Sequence, residues 1–233
     1  MKNAPPATRR PIADAINASI IFSLFIEFRI LMGNLDKCKD IGKESPCQGN
    51  FCCDRIVGTM DISLLGTQTL RIKGKGATIV VDPDEKTPKT EADAVVMFKD
   101  QGKQIPSKIE NPRVLIQGPG EYEIGGIKIS SQKANGGLVH ELYVDGIKVL
   151  LGDPSILSKV QEKIGECQVA LFKVSENFDQ SIISAIEPNV VIMYGEGAEE
   201  GVKKMGVSVK EKTSKYSINA EKIPEEFEAI ILE

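Results

Sequence analysis

The hydrophobic pattern of this chain changes period at Asp153, and that change limits the folds open to it. Before it come short β-rich runs: Ile62–Leu65, Thr69–Ile72, Thr78–Val81, Ala94–Phe98, Val114–Gln117, Leu138–Val144 and Ile147–Leu151. Clusters of Gly, Pro, Asp and Lys separate them, which is the punctuation of strands and turns. After it, Pro154 at a first helical position, with Asp153 as its cap, opens a helix whose Ile156, Leu157, Val160 and Ile164 share a face. A strand (Val169–Val174), a helix (Asp179–Ile186), a strand (Val190–Tyr194) and a helix (Ala198–Met205, ended by Gly206) follow. Strands first and alternating β-α-β units afterwards predict an α/β protein with a sheet-rich first half.

Several local signals refine this reading. Asp145-Gly146 joins two strands as a two-residue hairpin turn. Gly74-Lys75-Gly76 reads as a hairpin turn rather than a phosphate loop, since no helix pattern opens behind it. Gly118-Pro119-Gly120 suits a type II turn, leading into a half-buried strand in which Tyr122 and Ile124 alternate with Glu121 and Glu123. Those two glutamates read as a solvated strand face, because nothing in the sequence buries them to shift a pKa.

With 41% hydrophobic and 27% charged residues the chain is neither disordered nor membranous in bulk, and without Trp its core must come from Ile, Val and Leu. Residues 1–59 carry eight Lys/Arg and six Asp/Glu, and residues 60–233 carry 21 and 27, so the net charges are about +2 and −6. An acidic main domain without a basic stripe argues against a nucleic-acid partner, whose phosphates require Lys/Arg. Four of the five cysteines (Cys38, Cys47, Cys52, Cys53) lie in the first segment and only Cys167 lies beyond it. This is no disulfide framework, and a cytoplasmic setting is expected.

The first 59 residues differ in texture. A basic pair, Arg9-Arg10, precedes an apolar run from Ile16 to Met32 that is interrupted by Glu27 and Arg29. Each charge costs roughly 2.5–3.5 kcal/mol near a bilayer centre, so a membrane anchor is not expected. Ile20, Ile21, Leu24, Phe25, Phe28 and Leu31 suit a short helix instead. The four cysteines lack the paired spacing of a zinc site, and the close pair, Cys52-Cys53, is vicinal. Residues 1–59 are therefore expected to be a poorly packed extension or a mis-assigned start, with the main domain beginning at Met60.

Four stretches of that domain fall in a familiar order: Met60-Asp61-Ile62-Ser63-Leu64-Leu65-Gly66, Asp82-Pro83, Gly118-Pro119-Gly120-Glu121-Tyr122-Glu123 and Leu151-Gly152-Asp153. Residues 60–233 thereby resemble the metallo-β-lactamase superfamily, in particular its small Zn-dependent hydrolase-like branch. The resemblance implies a four-layer sandwich of two mixed β-sheets with helices on the outer faces. It also implies a divalent metal that holds and acidifies a water at the strand ends.

The implied ligands are mostly absent. Where the branch has a histidine after Leu-Gly, this chain has Thr67. The signature H-x-H-x-D-H should follow the Ala-Asp strand Ala92–Phe98; here Lys99, Gln101 and Gln104 take the histidine positions and Lys103 takes that of the aspartate, with Asp100 at a position where the motif sets no ligand. The bridging carboxylate has a match in Asp153. The last histidine should follow Glu187-Pro188-Asn189-Val190-Val191-Ile192, which leads instead to Met193-Tyr194-Gly195. The one histidine, His140, sits mid-strand and is expected to be half-buried or on the surface. An ammonium has no lone pair for a metal and repels a dication.

Two functions follow. One is a metal-free, non-catalytic pseudoenzyme, a binding or assembly module for a small ligand or protein partner, with no cofactor and no metal beyond a vestigial Asp153. In it Lys99 and Lys103 either attract an anion or are simply solvated. The other is a zinc-dependent hydrolase with an atypical or partner-completed site around Asp153 and Asp100.

Overall fold

The computed structural model describes residues 58–99, 102, 105, 108–134, 136–157, 164–175 and 181–233, all within one compact unit, Arg55–Glu233. The expected extension 1–59, with its apolar run and four cysteines, falls almost wholly outside them.

The described residues form sixteen strands: β1 (Thr59–Leu65), β2 (Thr69–Lys73), β3 (Thr78–Val81), β4 (Thr90–Glu91), β5 (Ala94–Val96), β6 (Ile109–Glu110), β7 (Val114–Ile116), β8 (Gly120–Ile124), β9 (Ile127–Ala134), β10 (Gly137–Val144), β11 (Ile147–Gly152), β12 (Val169–Lys173), β13 (Val190–Tyr194), β14 (Val209–Thr213), β15 (Lys215–Asn219) and β16 (Glu228–Leu232). They form a six-stranded sheet in the order β15-β1-β2-β3-β5-β7 and an eight-stranded sheet in the order β14-β16-β13-β12-β11-β10-β9-β8, with β4 and β6 as a separate pair. Both sheets are mixed. Hairpins and the long-range β1–β15 pair make the antiparallel parts, and β3-β5-β7 and β11-β12-β13-β16 run parallel.

The alternation of side chains along each strand divides the interior into layers. Ile79, Val81, Ala94 and Val96 of one sheet and Val149, Leu171, Ile192 and Ile230 of the other share the core between the sheets. On the far face of the eight-stranded sheet, Phe172, Val191, Met193 and Ile231 pack with Leu157, Ile182, Ile183, Ile186, Ala198 and Val202. The latter come from three helices, Pro154–Leu157, Ser181–Ile186 and Ala198–Lys204. On the far face of the six-stranded sheet, Val80 and Val95 are covered by Ala92, Met97 and Ile109. The metallo-β-lactamase-like sandwich is therefore present, and the three described α-helices all lie on the eight-stranded sheet.

The hairpin signals hold in detail. Asp145 and Gly146 take φ of 49° and 91°, the left-handed pair that a tight turn between β10 and β11 requires. Gly74 N donates to Ala77 O across the β2–β3 turn. Gly120 departs from expectation: its φ of 153° belongs to the start of β8, not to the third position of a type II turn. Sequence reasoning assigns no element beyond Gly206, yet three strands lie there, and β15 closes the six-stranded sheet against β1, with Ile62 opposite Tyr216. Among the described residues, no helix is long and apolar enough to cross a membrane.

Candidate functional site at the strand ends

Strands β3, β5, β11, β12 and β13 all deliver their C-terminal ends to one edge of the sandwich. In open α/β sheets ligands bind at such an edge. On β12, Val169 and Leu171 point into the inter-sheet core, and Lys173 continues that series. Its Nζ donates to Oδ2 of Asp82, just past β3, at 2.6 Å. The pair is mostly withdrawn from solvent, with side-chain exposures of 19% and 18%, and it ties the two sheets together. Asp82 adopts φ of 46°, and its N–H donates to Val96 O at 2.8 Å, which holds the carboxylate at the mouth.

Tyr194, opposite Lys173 in the β12–β13 register, also points inward and is fully buried. Its hydroxyl has no hydrogen-bond partner among the described residues. Burial pushes the phenol well above its ordinary pKa, and the carboxylates of Asp82 and Asp153 push in the same direction. The hydroxyl is thus a neutral O–H facing two acidic side chains.

Asp153 follows β11. Its Oδ1 accepts from Ser155 N at 2.9 Å and its Oδ2 from the hydroxyl of Ser175 at 3.2 Å. The first bond is the expected helix cap, so this carboxylate has a structural use. Thr67 is exposed in the β1–β2 turn, and Lys99 is exposed beyond β5. Gln101, Lys103, Gln104 and Asp100 lie outside the described residues. Of Met193-Tyr194-Gly195, Met193 packs under the helices on the opposite face, and Gly195 offers no side chain.

His140 corrects its expectation: it is fully buried rather than half-buried or on the surface. Nε2–H donates to Met97 O at 3.1 Å, and Nδ1 accepts from the Ser131 hydroxyl at 2.7 Å. Burial lowers its pKa to about 4, so the ring is neutral near pH 7. Beside it, Leu138 N donates to Phe98 O at 2.7 Å. A Cβ on Gly137 would come within 2.7 Å of that same oxygen, so only glycine lets β10 approach so closely. The exit of β5 is therefore clamped at Met97 and Phe98 by β10.

A zinc site needs three or four ligands from Cys, His, Asp or Glu. Among the described residues no group of three or more such side chains could hold a metal ion. At the strand ends Asp153 is committed to two hydrogen bonds, and Asp82 already faces an ammonium. The described donor set does not fit a metal.

Residues 61–146 match the family described as the beta-lactamase superfamily domain. The fold matches a crystal structure of a protein from Thermotoga maritima, assigned to the Zn-dependent hydrolases of the metallo-β-lactamase superfamily. The TM-score is 0.59 at 21% identity, over 74% of this chain and 98% of that one. Residues 61–146 are thus similar to that family, and the described domain has the metallo-β-lactamase fold. A protein from Parabacteroides distasonis assigned as a metal-dependent hydrolase aligns at 14% identity with a TM-score of 0.48, over 66% of this chain and 92% of that one. No curated protein sequence matches the chain.

Sequence reasoning singled out Asp82, Asp153 and the Met193-Tyr194-Gly195 segment of this edge, but it missed Lys173 and the part Tyr194 plays. The signal for Lys173 was a lysine continuing an inward-facing series on an otherwise apolar strand.

Proposed function

We propose that this domain is a metal-free, non-catalytic member of the superfamily that serves as a binding or assembly module in the cytoplasm. The observation that carries the reading is the Lys173–Asp82 ion pair. An ammonium fixed against the strand-end carboxylate of Asp82 supplies the positive charge there and repels a dication. Thr67 and Lys99 at ligand positions, and Asp153 engaged as a helix cap, support it further. The alternative is a metal-dependent hydrolase whose site a partner completes.

The test is the metal content of the gently purified full-length chain, with hydrolysis of lactam, thioester and phosphodiester model substrates by the wild type and Asp153→Ala. Substoichiometric zinc, iron and manganese, with background hydrolysis in both proteins, is the expected outcome. A stoichiometric metal together with an activity that Asp153→Ala abolishes would sink the reading and restore the hydrolase.

A further inference from the structure

A second feature lies where the two sheets part, between the ends of β5 and β7 on one side and β8, β9 and β10 on the other. It is a groove of about 420 Å³ walled by Lys99, Lys133 and Gln117 and by the glycine-bearing turns at Gly118-Pro119 and Gly136-Gly137. None of the residues lining it is acidic. That is unusual on a domain with 27 Asp/Glu against 21 Lys/Arg. Neither lysine has an ion-pair partner among the described residues.

The two cations are held together by backbone rather than by chance. Lys133 stands opposite Leu138 in the β9–β10 register. The Leu138 N–H is bonded to Phe98 O, the residue before Lys99. Gly120 pairs with Ser131, which brings Gly118-Pro119 alongside β9 near Lys133. A Cβ on Gly118 would meet nothing within 4 Å, so that wall is open. On the third side, Gln117 Oε1 is buried with no hydrogen-bond partner among the described residues. A buried acceptor without a donor is costly, and a ligand O–H would satisfy it.

We propose that this groove binds an oxyanion that retains one O–H, of the hydrogenphosphate type: its oxygens accept from Lys99 and Lys133, and its hydroxyl donates to Gln117. The proposal rests on the binding-module reading and names the ligand class for that module. Fully ionised sulfate matches the lysines but not Gln117. A long apolar ligand matches neither.

The experiment is a titration of the ¹⁵N-labelled full-length chain with inorganic phosphate, and separately with sulfate, near pH 7 at low ionic strength, followed through amide shifts. Saturable shifts at Lys99, Lys133, Gly118 and Gly136 are expected with phosphate, and weaker binding with sulfate. Lys99→Glu and Lys133→Glu, both at exposed positions, should each weaken phosphate about tenfold or more, a loss typical of a charge-assisted hydrogen bond. Gln117→Leu should erase the preference for phosphate. Absence of saturable shifts, or a phosphate affinity unchanged in both charge-reversed variants, overturns the proposal; equal affinity for sulfate overturns the role of Gln117. Metal content and hydrolysis report on the binding-module reading separately, so a metal-loaded, active chain would sink that reading without altering these curves.

Discussion

Lys173 at the end of β12 and Asp82 just past β3 meet across the sandwich, Nζ to Oδ2 at 2.6 Å, and each belongs to a different sheet. Removing one partner leaves the other charge largely withdrawn from water. Lys173→Met and Asp82→Asn should each lower stability by about 2 kcal/mol, the order of an orphaned, partly buried charge. The double variant should recover part of the loss. Chemical denaturation of the four proteins reads this; strictly additive losses would show the pair to be uncoupled.

Tyr194→Phe should act in the opposite direction. It deletes a buried hydroxyl that has no partner among the described residues and keeps the ring that packs in the inter-sheet core. An increase of about 1 kcal/mol is expected, from the desolvation of one unsatisfied group. A loss of that size in thermal unfolding would mean that the hydroxyl has a partner after all.

The single histidine gives a direct titration. Its folded pKa of about 4 lies below the ordinary 6.5, because burial disfavours the imidazolium. Above pH 6.5 the ring is neutral in both folded and unfolded chains and adds no pH dependence. As pH falls from 6.5 toward 4 the unfolded chain takes up a proton that the folded one refuses, and stability declines. One imidazole resonance should titrate with a midpoint near 4 in the native protein, and His140→Gln should remove this component of the decline.

Two glycine substitutions separate tight backbone from open backbone. Gly137→Ala drives a methyl into Phe98 O and should cost about 2 kcal/mol or more. Gly118→Ala meets nothing within 4 Å and should be neutral within about 0.5 kcal/mol. Equal melting temperatures for the two variants would show that the β10–β5 contact gives way easily.

Cys167 should resist alkylation. Burial pushes its thiol up to about 12, so almost no thiolate exists near neutral pH. Peptide mapping after native iodoacetamide treatment should find Cys167 unmodified, and modified only after unfolding.

Much of the frame was legible because its signals are local. Asp145-Gly146 encodes its own turn, Asp153-Pro154 its own helix start, and apolar runs such as Val190–Tyr194 their own burial. The missed features are non-local. Lys173 meets Asp82 across 91 positions of sequence, and His140 reaches Met97 across 43. β15 pairs with β1 from the other end of the domain, and its five residues offer only the short alternation of Tyr216 and Ile218, too brief to announce a partner so far away in sequence. A lone histidine in an amphipathic run gives no sign of full burial, because the Ser131 hydroxyl and Met97 carbonyl that satisfy it become visible only once the strands are paired.

The clamp on the β5 exit separates architecture from chemistry. Met97 and Phe98 are held by the β10 backbone, by His140 and by the bare Cα of Gly137, and these contacts end one residue short of Lys99. A chain built this way can exchange Lys99 without loosening the strand that carries it. That position is free to acquire a new use while the scaffold goes on folding as before.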